Sequence, residues 1–178
     1  MNRALPRLMI AKGGPPAMQD ALELRDLEIG DAGWIVARHA EIYAAEAGFD
    51  LSFEAQVAEH MSRFIRTRDP ARERAFIACL GGRRVGCLLC TRMGDESARI
   101  SLFLVEPEMR CRGIGRHLLQ QAMNFARAHG YASLCFWTFN GHHTSESLYV
   151  SSGFRRVTSH PAHSFGRDVI EQEWEIVL

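Results

Sequence analysis

The chain has 178 residues, 47% of them apolar and 24% charged, with 15 glycines and 6 prolines. That length and composition suit one domain with its own hydrophobic core, and they exclude disordered, collagen-like and membrane-spanning classes. The 21 basic residues balance the 21 acidic ones, so no overall field draws the protein to nucleic acid or to an anionic membrane.

Residues 1–20, with Lys12-Gly13-Gly14-Pro15-Pro16 at their centre, keep no period and read as a flexible tail, the domain proper being expected over 21–178. Met18 is a candidate start beside Met1. The apolar run Leu8–Ala11 is too short for a secretory leader, and five cysteines without one point to a reducing cytosol. Leu22, Leu24 and Leu27 predict a short strand, and Gly30-Asp31 opens a helix to about Ala47. Ser52 is the expected N-cap of a second helix, whose Phe53, Val57, Met61, Phe64 and Ile65 form an apolar stripe. Arg74–Leu80, Arg83–Arg92 and Ala98–Val105 predict an antiparallel meander with turns at Gly81-Gly82 and Met93-Gly94-Asp95. Gly113–His129 carries the clearest helical pattern, with Gly130 beyond its end. A strand Ala132–Phe139, a helix from about His143 to Ser152, and strands near Phe154–Ser159 and Asp168–Val177 complete a mixed α/β layer.

The chemistry concentrates where the third meander strand meets the long helix, in Leu104-Val105-Glu106-Pro107-Glu108-Met109-Arg110-Cys111-Arg112-Gly113-Ile114-Gly115-Arg116. Pro107 ends the strand because it cannot donate to a ladder. The two glycines let a ligand approach the backbone. The unpaired N–H groups at the helix start, its positive dipole end, and Arg110, Arg112 and Arg116 favour an anion. Neither GxxxxGK[ST] nor the third glycine of a dinucleotide fingerprint is present.

These residues resemble the GNAT superfamily of acyl-CoA-dependent N-acyltransferases. The Arg/Gln-x-x-Gly-x-Gly/Ala element is matched by Arg110, Gly113 and Gly115, and a Leu-Tyr…Gly-Phe element by Leu148, Tyr149, Gly153 and Phe154. Gly33-Trp34-Ile35-Val36, Leu104–Glu108, and His163-Ser164-Phe165-Gly166 with Gln172 and Trp174 resemble, more closely, acetyltransferase domains fused behind MarR-type winged helices. That fusion partner is not expected here, because residues 1–20 are too few to form a DNA-binding domain. The resemblance implies a mostly antiparallel sheet with one splayed pair of parallel strands and about four flanking helices. It places the CoA pyrophosphate at the backbone of Arg112, Gly113, Ile114, Gly115 and Arg116, and the pantetheine beside Leu104 and Val105. Tyr149 matches the family's proton donor to the departing thiolate. A phenol, with an ordinary pKa near 10, can fill that role at neutral pH. Where many members carry Asn seven residues before that tyrosine, this chain has His142.

His39 and Tyr43 share a helical side with Ile35 and Ile42. They read either as core residues or as a wall of the acceptor pocket, and His163 is assigned to the acceptor side by the subgroup likeness. Glu171, Glu173 and Glu175 alternate with Ile170, Trp174 and Ile176. That pattern is most simply a solvated strand face, the alternative being that one of them is a base. Cys87 and Cys90 would point to opposite faces of a strand, and the His142-His143 and His160/His163 pairs lack ligand spacing, so no metal is expected. The implied reaction moves acetyl from acetyl-CoA to a small-molecule or peptide amine in a ternary complex. A non-catalytic acyl-CoA-binding module is the alternative. Monomer and homodimer both stay open.

Overall fold

The computed structural model describes residues 22–139 and 143–178, with only the backbone of 143–145. The expected tail, its two candidate starts and His142 lie outside these residues. The elements are β1 (Leu22–Arg25), α1 (Asp31–Ala47), α2 (Leu51–Thr67), β2 (Arg74–Leu80), β3 (Arg83–Arg92), β4 (Ser97–Val105), a 3-10 turn (Pro107–Met109), α3 (Ile114–Ala128), β5 (Ser133–Phe139), α4 (His143–Ser151), β6 (Arg155–Ser164) and β7 (Arg167–Val177). They form an α/β fold around a seven-stranded sheet of order β1-β2-β3-β4-β5-β7-β6. Neighbours are antiparallel except β4 and β5, which run parallel.

Two apolar clusters occupy the two faces of this sheet. One gathers α3 with Phe76, Val85, Leu88, Ile100, Phe136, Tyr149 and Trp174. The other gathers α1 and α2 with Ile77, Cys87, Leu89, Leu104 and Val169. Alternation along each strand distributes side chains to both, so neither face of the central strands is left for solvent. The α1 start is pinned by buried Asp31, which accepts from Arg25 at 2.6 and 3.0 Å and from the Glu28 amide at 2.7 Å. Arg84 adds a contact at 3.3 Å. These donors hold the Asp31 carboxyl below its usual pKa against the opposing effect of burial.

Three features differ from the sequence reading. Asp50, not Ser52, caps α2, its side chain accepting from the Ser52 amide at 3.0 Å. β6 continues to Ser164 through Pro161, because the strand lies at the sheet edge, where one face of its backbone needs no partner. His163 therefore lies within a strand, one residue before its end, and not in a loop. The third difference is a bulge. β4 pairs with β3 through Ser101↔Leu89 and then Leu104↔Cys87, so β4 holds one residue more than β3 over this stretch. Leu102, at φ 48°, is that residue, held in the left-handed region that a branched side chain seldom adopts.

The bulge bends β4 away from its parallel neighbour. Pairing between them covers only Ser97–Ile100 with Ser133–Phe136, although both strands continue further. The sheet is split beyond that point.

Candidate active site

Two features meet at the split: a loop leading into α3, and a cleft between the parted strands. The loop is anchored to α1 at both ends. Buried Glu106 accepts Arg38 Nε at 2.8 Å and Nη2 at 2.7 Å, a two-point bond across the α1–β4 junction. Arg110 donates to the Val105 carbonyl at 3.2 Å and to both Glu46 oxygens at 2.8 and 3.0 Å. The guanidinium assigned from sequence to an anion thus holds the loop to α1, and Arg112 and Arg116 are the exposed cations near the turn. Arg116 reaches Ser151 Oγ at 3.2 Å.

Cys111 at φ 60° and Gly113 at φ 83° are left-handed on either side of Arg112, a geometry that turns successive amides toward one point. The first amides of α3, which have no partner within the helix, add to them. Gly113 has open space where a Cβ would stand, so only its φ demands glycine. Gly115 differs. A Cβ there would lie 3.1 Å from Leu148 Cδ2, 3.5 Å from Phe103 Cζ and 3.7 Å from Val105 Cγ2. Ile114 is buried between them in sequence and anchors the turn in the α3 core.

The cleft holds about 700 Å³. Phe103, Phe136 and Tyr149 reach it from the cluster on the α3 face, while Tyr43, Phe53 and Phe165 reach it from the cluster on the α1–α2 face. One opening therefore passes between the parted strands and touches both layers. Tyr149 is 7% exposed, and its ring centroid lies 4.4 Å from Phe136, 5.6 Å from Trp174 and 6.5 Å from Phe103. Phe103 thus touches the Gly115 end of the loop on one side and Tyr149 on the other.

His39, 2% exposed, also lines the cleft. Its Nδ1 lies 2.8 Å from the Ile35 carbonyl, an acceptor, so Nδ1 carries the proton and Nε2 is the bare nitrogen on the far edge of the ring. Nε2 has no partner among the described residues. Burial lowers the His39 pKa to about 4, outweighing the Ile35 bond that raises it, and His60 lowers it further. A histidine lowered in the folded state stabilises fully above its unfolded value near 6.5, and loses that contribution as pH falls toward 4. The gap corresponds to up to about 3 kcal/mol. Urea unfolding at a series of pH values is expected to show this loss in the wild type, and His39→Asn, which keeps a donor for Ile35, is expected to flatten that part of the curve. An unchanged pH profile in the variant would show that His39 does not titrate there.

At the α2 end of the cleft, Arg63 donates to His60 Nδ1 at 3.3 Å, so His60 Nε2 is the donor to Ser101 Oγ at 2.9 Å. On the β7 side, Glu171 accepts from Ser164 at 2.9 Å and stands 3.6 Å from His160. Its neighbours Glu173 and Glu175 do not line the cleft.

Of the residues read from sequence, the structure brings His39, Tyr43 and Tyr149 together at the cleft, and Arg112–Arg116 at the loop. Leu104 is buried on the α1–α2 side and Val105 packs toward α3. His163 stands apart: it is exposed, 2.8 Å from Asp168, while the next two residues, Ser164 and Phe165, line the cleft. Phe165 is carried there by the β6–β7 turn, whose carbonyl accepts the Asp50 amide at 3.1 Å and whose Arg167 donates to the Ala47 carbonyl. Gln56, His60, Ser101 and Phe139 were not read from sequence as lining residues; only the apolar stripe and the strand pattern flag their elements. Among the described residues no group of three or more His, Cys, Asp or Glu side chains is placed to hold a metal.

A model of the acetyltransferase (GNAT) family matches residues 33–154. No curated protein matches the sequence. Among solved structures, an acetyltransferase from Streptococcus agalactiae 2603 superposes with a TM-score of 0.73 at 19% identity, over 88% of this chain and 98% of its own. An N-acetyltransferase from Staphylococcus aureus Mu50 gives 0.73 at 18% identity over 88% and 98%. A GNAT family acetyltransferase from Elizabethkingia anophelis, with acetyl-CoA bound, gives 0.62 at 17% identity over 88% and 98%. At these identities the likeness is one of fold.

Proposed function

Because the chain belongs to the acetyltransferase (GNAT) family, we propose that it transfers an acetyl group from acetyl-CoA to a primary amine by direct attack in a ternary complex. The observation that carries this reading is the cleft through the split sheet, which gives two substrates access to one opening from opposite faces. The amides of the 111–116 loop and the exposed Arg112 and Arg116 suit the CoA phosphates, and the open strand edges beside Phe103–Val105 suit the pantetheine amides. His39 and Tyr43 are carried forward as acceptor-side residues, and the exposed position of His163 gives it no such support. Burial lifts the Tyr43 pKa to about 12, so its phenol enters the reaction neutral.

The neutral amine forms the N–C bond at the thioester carbonyl, and collapse of the adduct breaks the C–S bond. The amine gives one proton to solvent water, and the departing sulfur takes one from Tyr149 on the α3 side of the opening, whose phenol solvent then reprotonates. The finer likeness to MarR-fused acetyltransferase domains rests on Gly33–Val36, Leu104–Glu108, and His163–Gly166 with Gln172 and Trp174. Work in a reducing cytosol agrees with five cysteines that are all unpaired, and no helix among the described residues is long and apolar enough to cross a membrane.

The test is release of CoA thiol with a panel of primary amines. Amine-dependent thiol release with acetylated product is the expected result. Acetyl-CoA binding without amine-dependent release would instead make the chain an acyl-CoA-binding module.

A further inference from the structure

The acceptor half of the cleft is a wall of interlocked rings. Tyr43 of α1 lies 4.8 Å from Phe53 of α2, Phe53 lies 4.9 Å from Phe165 of the β6–β7 turn, and Phe165 lies 5.6 Å from Phe139 of β5. Phe49 backs the group at 5.0–5.6 Å from Tyr43, Phe139 and Phe165. Rings held in tilted, stacked and edge-to-face contact by four separate elements make a rigid apolar surface, preorganised for another flat body.

Charge is scarce beside it. Among the described residues that line the cleft, Glu171 is the one carboxylate, and it already accepts the Ser164 hydroxyl. Arg99 is the one permanent cation among these described residues. The other polar groups, among them His39, Gln56, Thr138 and the His60–Ser101 pair, are neutral hydrogen-bonding groups. An acceptor with several ammonium groups would bring charges into this cleft without partners for them, which is strongly unfavourable. An acceptor with a single amine needs only a neutral hydrogen-bond acceptor as it enters. The hydroxyl oxygens of Ser101 and Thr138, on the cleft wall, have that chemistry.

We propose that the acceptor is a monoamine carried on an apolar, ring-sized body that packs on Tyr43, Phe53, Phe139 and Phe165. This rests on the acetyl-transfer reading above and specifies its second substrate. Polyamines, aminoglycosides and lysine-bearing peptides are then poor acceptors for lack of carboxylates, whatever their amine reactivity.

The experiment compares kcat/KM for phenethylamine, spermidine, an aminoglycoside and a lysine-bearing peptide at saturating acetyl-CoA, read as thiol release. Phenethylamine is expected to exceed each of the others by about a hundredfold. Gln56→Glu, on the exposed side of α2, adds a second carboxylate at the cleft, and is expected to narrow the spermidine gap by about tenfold. Equal or better turnover of any polycation or peptide by the wild type overturns the proposal and leaves acetyl transfer standing. If no amine is turned over, calorimetry of phenethylamine against the CoA-bound protein decides: binding of phenethylamine and not spermidine supports the proposal, and no binding overturns it. Failure of acetyl-CoA itself to raise the melting temperature would overturn both readings.

Discussion

Tyr149→Phe is expected to lower kcat by about 10²–10⁴-fold while acetyl-CoA affinity changes by less than about threefold, since loss of a general acid acts on the transition state. The substitution removes one oxygen and leaves the ring where Phe136, Trp174 and Phe103 hold it, at 4.4, 5.6 and 6.5 Å between centroids. The end of α4 is fixed independently of the hydroxyl: the Phe154 amide donates to the Tyr149 carbonyl at 3.1 Å, and Gly153 takes φ 93°. Folding and packing therefore survive the change. Single-turnover measurement, where chemistry limits the rate, gives the decisive reading. A near-normal rate there would assign the tyrosine to packing and the proton to water or another group.

Gly115→Asp is expected to abolish the rise in melting temperature that acetyl-CoA produces. For a ligand at a hundredfold excess over Kd the lost stabilisation is about 2.7 kcal/mol. The aspartate Cβ would press on Leu148 Cδ2 at 3.1 Å and bring a negative charge to the turn proposed to receive phosphate. Because that contact also disturbs packing, Arg112→Glu is the companion variant. Arg112 is exposed, so its reversal leaves the core untouched while opposing the anion directly. The melting temperature without ligand separates the two effects. A full acetyl-CoA shift in folded Gly115→Asp and Arg112→Glu proteins would remove the loop from cofactor binding.

Much of this fold is legible in the sequence because its signals are local. The α3 stripe, the glycine-marked turns of the meander and the Pro107 stop each act within a few residues, and the structure keeps them within a residue or two. The loop and Tyr149 were reachable because two short motifs carried them. What sequence reading missed is assembled over long separations. Phe165 meets Phe53 and Phe139 only because the β6–β7 turn docks on the α1–α2 junction through Asp50 and Arg167. Arg110 pairs with Glu46, 64 positions away, and no local rule chooses between that carboxylate and a phosphate. His163 was taken from a motif whose next two residues, Ser164 and Phe165, are the ones that line the cleft. The bulge left no mark either, because the strained residue is a leucine where glycine would have announced it.

That leucine sets stability against activity. Without Leu102 the neighbouring residues keep their alternation, Ile100, Phe103 and Val105 toward α3, and Leu104 toward α1 and α2. A β4 shortened by one residue would pair regularly with β3, escape the left-handed conformation, and lie straighter beside β5. It would be a more stable strand, in a protein with less room between its two substrates. The insertion is a place where the fold gives up some of its own cohesion to stay open.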